Sequence, residues 1–121
     1  MAQSWRSMLE WKLERQGESW EDIEAMEVFP GDEENMYSWE WVVKKPHTWG
    51  QIEAMSVDQL LDIVFDDGYG SPCPIQLKAW TKSNVYMSYE YDGPDFVITI
   101  PRNPPKKKEQ HKTYRYYKRG E

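Results

Sequence analysis

The sequence predicts an α+β fold: one N-terminal helix packed on a mostly antiparallel sheet of four to six strands. Three observations predict it. Apolar residues near the N-terminus recur at helical spacing, three later segments alternate with period two between turn residues, and the 121-residue length suits one domain. Area scaling for this size gives about 6,900 Å² of folded surface against about 21,000 Å² unfolded, enough for one core. Aromatics at 15% supply that core although 30% of residues are charged. Disordered chains are poor in such residues.

Residues 4–16, "SWRSMLEWKLERQ", read as the helix. Ser4 is its N-cap, and Trp5, Met8, Leu9, Leu13 and Gln16 form one stripe. Trp11 lies off the stripe, and Gly17 stops the helix. "SWEDIEAM" at 19–26 then recurs as "TWGQIEAM" at 48–55, with five of eight positions identical. Two units are too few for a stacked repeat. Each copy reads either as a short strand or as a capped helical turn, and either as a duplicated recognition element or as two similar local starts.

"FPGDEEN" is an exposed turn. In "MYSWEWVVKKP", Tyr37, Trp39, Trp41 and Val43 alternate with Ser38, Glu40 and Val42, which predicts a half-buried strand ended by Pro46 that could add a fifth to the sheet. "SVDQLL" reads as a helical turn capped by Ser56, and residues 61–66 as a strand leading into the sheet. Three clearer strands follow. Residues 74–81 put Ile75, Leu77 and Ala79 on one face, residues 84–91 set Val85, Met87 and Tyr89 against Tyr86 and Tyr91, and residues 95–101 alternate Phe96, Ile98 and Ile100. "TKSN" and "YDGPD" turn the chain between them, with Asp92-Gly93 supplying positive-φ positions. The domain spans 1–105, and 106–121 form a basic, flexible tail in which Tyr114, Tyr116 and Tyr117 could instead pair as a late edge strand.

The single cysteine, Cys73, excludes an intrachain disulfide and fits a cytoplasmic setting. The charged N-terminus has no apolar core of a signal peptide, and no run of some 18 apolar residues spans a membrane. Net charge −6 is divided unevenly: residues 1–70 carry −11 and residues 71–121 carry +5. The two ends either neutralise each other or separate an interaction face from a tail.

"FDDGYG" at 65–70 is the first candidate site. A phosphate cradle would open a helix, but Pro72 and Pro74 follow it. A calcium loop needs acids at alternate positions and a distal Glu, and this stretch has neither. Asp66 paired across the sheet with Asp92 or Asp95 would make an acid pair, with no nucleophile placed beside it by motif. A turn, with Gly70 allowing close backbone approach and Tyr69 packed on the sheet, accounts for the stretch without chemistry. Cys73 has no base in view, and His47 and His111 lack metal-ligand spacing. The sequence therefore implies no catalytic residue, metal or other cofactor.

Two surfaces remain. An acidic stretch, Glu18, Glu21, Asp22, Glu24, Glu27, Asp32, Glu33 and Glu34, is interspersed with Trp20, Trp39 and Trp41. Aromatic anchors beside steering acids are what a binder of a basic protein surface needs. The contacts expected are Glu21, Asp22, Asp32, Glu33, Glu34 and Trp39. The tail carries Lys106, Lys107, Lys108, Lys112, Arg115, Lys118 and Arg119 among tyrosines, the ingredients of single-strand nucleic-acid contact. An acidic body opposes that use.

Residues 65–104, through Phe65 to Gly70, Ala79-Trp80-Thr81, Val85-Tyr86, Tyr91-Asp92-Gly93 and Pro101-Arg102-Asn103-Pro104, resemble a family of small uncharacterised bacteriophage and prophage proteins. "TWGQIEAMSVDQL" upstream resembles the family's Trp-containing segment, extending the likeness to about 47–104. The chain departs from the pattern at Met87-Ser88, where members often carry Phe-Pro, and at Phe96, where they carry Trp. The resemblance implies a phage accessory protein acting in the host cytoplasm. The expected role is non-enzymatic binding and inhibition of a host protein, a defence system among the targets. A nucleic-acid-associated protein and a virion or assembly component are the alternatives.

Overall fold

The computed structural model describes residues 2–34, 36, 39, 42, 46–66, 74–90 and 95–103. The basic tail, most of "FDDGYG", and Cys73, Asp92 and His111 lie outside the described residues. The elements in chain order are β1 (Ala2–Gln3), α1 (Trp5–Arg15), a 3-10 turn (Trp20–Asp22), β2 (Ala25–Phe29), α2 (Trp49–Glu53), α3 (Val57–Leu61), β3 (Phe65–Asp66), β4 (Gln76–Trp80), β5 (Asn84–Glu90) and β6 (Asp95–Pro101). The architecture is α+β, as the alternation and the helical stripe predict.

Local hydrogen bonds start each helix. Ser4, Thr48 and Ser56 cap α1, α2 and α3 with reciprocal bonds to Ser7, Gln51 and Gln59, so two orphan backbone donors are satisfied at each start. Ser19 and Asp22 make the same box on the 3-10 turn. Both copies of the echoed segment therefore begin as capped turns and then diverge. The second continues as α2, whereas in the first Glu24 N–H donates to Trp80 O at 2.7 Å and the chain becomes β2, paired to β4. Tertiary pairing overrides equal local sequence here.

α1 buries Trp5, Met8, Leu9 and Leu13, the expected stripe, whereas Gln16 at its end is exposed as C-cap. Trp11 is exposed, with the Arg15 guanidinium 4.8 Å from its ring centre. Gly17, at φ +73°, ends the helix: its N–H bonds to Glu14 O and that of Glu18 to Leu13 O, a Schellman closure. A Cβ at Gly17 would meet nothing within 4 Å, so Gly17→Ala tests backbone strain alone. It is expected to destabilise the fold by about 1 kcal/mol, read from the urea midpoint.

β2-β4-β5-β6 form one antiparallel sheet, and β1 with β3 form a second of two strands. Two expectations are corrected. The segment 61–66 does not lead into the main sheet: Leu61 ends α3, and only Phe65–Asp66 are extended, paired with β1. The place expected for the 61–66 strand is taken by β2. Nor do the described residues of the Trp39 segment form a fifth strand. Trp39 lies in a 3-10 turn, Val42 N–H bonds back to Trp39 O at 3.0 Å, and Val42 alone bridges Phe65. The three-residue step lets both side chains enter the core, which strand alternation would forbid. Tyr37, Trp41 and Val43 lie outside the described residues.

The core lies between α1 and one face of the main sheet, where Leu77, Ala79, Tyr86 and Val97 are buried with Ile75 at the mouth of β4. Ile52, Leu60, Leu61 and Phe65 extend it. Trp5 donates its indole N–H to Ile75 O at 3.0 Å and tilts against Phe65 with ring centres 5.2 Å apart. Arg6 bonds Asp58 and Asp62 of the α3 segment and covers the Trp20 ring, fastening α1 to its neighbours.

Candidate functional site

Residues alternate across each strand, so register decides what shares a face. Leu77, Ala79, Tyr86 and Val97 point into the core. Their neighbours therefore form the opposite, outer face. Across β5 and β6, Val85 stands opposite Ile100, Met87 opposite Ile98 and Tyr89 opposite Phe96. The Tyr89 and Phe96 rings are 5.1 Å apart at 59°. Trp80 adjoins Val85, and Ala25 adjoins Trp80. Glu27 opposite Lys78, with Gln76 opposite Phe29, are the polar positions of this face on β2 and β4.

Phe29 is 47%, Ile100 45%, Tyr89 44% and Phe96 37% exposed. An antiparallel sheet with one solvated face normally turns polar residues to water. Contiguous exposed apolar surface is uncommon on soluble proteins and marks contact sites. The more apolar side of β6 thus faces outward, leaving Val97 and Thr99 to the core side.

The face is also indented. The β4–β5 pairing ends at Lys78–Met87, and Leu77 N–H donates to the Ser88 hydroxyl at 2.9 Å instead of continuing the ladder. A cleft of about 560 Å³ opens there, bordered by Phe29, Gln76, Lys78, Met87 and Tyr89.

The acidic residues flank this face instead of forming one cluster. Glu21 and Asp22 precede the edge strand β2, and Asp32, Glu33 and Glu34 follow it; all are exposed. The five-residue strand between them spans about 16 Å. Asp22 is engaged by Ser19 N–H at 2.8 Å, and Glu24 by Arg102 at 3.1 Å.

Trp39 is corrected as a contact residue. It is 1% exposed, with its indole N–H on Pro30 O, so presenting it to a partner would require opening the core. Trp20 is half-buried under Arg6. Of the acids weighed as a pair, Asp66 lies in β3 and Asp95 in β6, strands of different sheets. His47 is exposed beside Gln51. Lys106, Lys107, Lys108, Lys112, Arg115, Lys118 and Arg119 lie outside the described residues.

Glu18 leaves the acidic surface altogether. The Schellman closure delivers it to the β4–β5 hairpin, where its carboxylate accepts from Tyr86 Oη, from Asn84 Nδ2 at 2.8 Å and from Thr81 Oγ1 at 3.1 Å. Burial acts to raise the carboxyl pKa, but the hydrogen bonds from Tyr86, Asn84 and Thr81 outweigh it, so the group is held below its ordinary value. Burial, then the bond to Glu18, pushes the Tyr86 hydroxyl well above its ordinary value. A phenol so stabilised in its protonated form suits a structural lock and not a nucleophile.

Among the described residues no group of three or more His, Cys, Asp or Glu could hold a metal ion, and no helix is long and apolar enough to cross a membrane. No family model, curated protein or solved structure matches the chain.

Proposed function

We propose that this chain is a non-enzymatic inhibitor that lays the outer face of its four-stranded sheet on a protein partner. The observation that carries the reading is the row of three apolar cross-strand pairs, Val85–Ile100, Met87–Ile98 and Tyr89–Phe96, turned away from the core. Aromatic and Met side chains on a rigid sheet bury large area at small entropic cost, the property of binding hot spots. The cleft beside Met87 and Tyr89 receives an apolar side chain of the partner. Glu21 at one end of β2 and Asp32, Glu33 and Glu34 at the other face basic residues bordering the partner's apolar patch and speed encounter. The phage resemblance of residues 47–104 makes a host protein the partner class, with defence systems foremost.

The partner is captured from host cells on the tagged full chain, and its affinity for the purified chain is then measured. Met87→Lys with Tyr89→Ala is expected to weaken binding about 100-fold or more, with the far-UV spectrum unchanged. Reversing Glu21, Asp32, Glu33 and Glu34 to Lys is expected to slow association about tenfold or more and to remove most of its salt dependence. Unchanged affinity in the first variant refutes the apolar face as the contact. Unchanged kinetics in the second refutes the acidic border.

A further inference from the structure

The cleft between β4 and β5 persists without an occupant because side chains serve backbone groups along it. Beyond the last ladder pair, Lys78–Met87, the Leu77 N–H donates to the Ser88 hydroxyl, and the Ile75 carbonyl accepts from the Trp5 indole N–H. Its volume of about 560 Å³ falls within the roughly 300–1,000 Å³ of small-molecule sites. Its chemistry is divided by depth. The floor is apolar: Trp5, Ile75 and Leu77 are each 1% exposed. Half-buried Met87 and the exposed rings of Phe29 and Tyr89 stand at its sides. At the rim, Glu27 stands opposite Lys78 on the neighbouring strand. The ion pairs among the described residues are Arg6–Asp58, Arg6–Asp62 and Arg102–Glu24, so this carboxylate and this ammonium are neighbours that are not paired to each other.

We propose that the cleft binds a free aromatic α-amino acid. The ring enters toward the apolar floor, between Phe29 and Tyr89, and packs on Met87. The ligand's ammonium meets Glu27 and its carboxylate meets Lys78. Residues opposite one another on paired strands have Cβ atoms about 4.5–5.5 Å apart, and an amino acid carries its two charges on a single carbon, so both contacts form together. A ligand with one charge leaves one rim group facing its own sign. An uncharged ring answers neither group. The cleft is the one filled above by a partner's side chain, and binding of the amino acid to the isolated chain stands whether or not that reading does.

The isotope-labelled full chain is titrated with L-tryptophan and followed through its backbone amide NMR signals. Saturable shifts centred on Leu77, Lys78, Met87 and Tyr89 are expected below about 10 mM ligand. No saturation by that concentration, or shifts centred elsewhere, overturns the site. Tryptamine lacks the carboxylate and indole-3-propionate lacks the ammonium, and each is expected to bind about fivefold more weakly or worse. N-acetyl-L-tryptophanamide carries the ring as a partner's chain would present it, with neither charge, and is expected to be weaker still. Equal affinity for that compound and L-tryptophan overturns the free amino acid as ligand. Glu27→Gln, at an exposed position outside the core, is expected to weaken L-tryptophan about fivefold while indole-3-propionate binds no more weakly than before. Unchanged L-tryptophan affinity in that variant overturns the rim contact.

Discussion

Trp5→Ala is expected to remove about 3–5 kcal/mol of stability, a large share of the roughly 5–15 kcal/mol typical of a single domain. Three losses coincide. The indole is 1% exposed, so its removal leaves a cavity between α1, β3 and β4. The Phe65 ring loses its neighbour at 5.2 Å. The Ile75 carbonyl, which the indole N–H satisfies at 3.0 Å, is left without that donor. Trp5→Phe separates these effects. It refills most of the space but not the hydrogen bond, and is expected to cost about 1–3 kcal/mol. Urea titration followed by far-UV circular dichroism gives both values, and equal midpoints for the two variants would refute the partition.

Glu18→Ala carries the second large effect, about 2–4 kcal/mol, because one carboxylate satisfies three donors on the β4–β5 hairpin. Tyr86 is left with a buried hydroxyl, and the helix end loses its tie to the sheet. The effect depends on pH with a definite sign. The folded pKa of Glu18 is depressed, so its stabilising contribution is present above the unfolded carboxyl value near 4.3. It disappears as the pH falls through the lower folded value. The stability difference between the parent chain and Glu18→Gln is therefore expected to shrink on going from neutral pH to below about 4. A difference that stays constant over that range would show that the carboxylate's charge is not involved. Tyr86 acts in the opposite direction: its folded pKa is raised, so its contribution holds below the unfolded value near 10 and declines as the pH rises above it.

Much of this fold is legible in local sequence. The stripe Trp5, Met8, Leu9 and Leu13 is buried, Ser4 caps the helix and Gly17 ends it. Ile75, Leu77 and Ala79 share the buried face of β4. The spacing Thr48-x-x-Gln51 also carries a signal, a reciprocal cap that marks α2 as helical before any tertiary contact is known. The Trp39 segment misleads for a definite reason. Alternating aromatics resemble a strand, whereas Trp39 and Val42 reach the core from a turn with three-residue spacing. The acidic residues were visible as a run, but their division between the two ends of β2 follows from strand pairing far along the chain.

The sequence by itself determined where the first helix begins and ends and which segments make the β4–β5–β6 meander, because capping, positive-φ glycine and period two are local properties of the chain. Which side of that meander meets water was decided only by the tertiary structure. β6 offers Phe96, Ile98 and Ile100 on one side and Val97 and Thr99 on the other, so hydrophobicity alone favours burying the wrong side. The choice is made where Leu77, Ala79 and Tyr86 join the core and α1 packs against β6, with Glu18 holding the Tyr86 hydroxyl at the hairpin. Strand register keeps β6 in step with that choice and turns its most apolar residues outward.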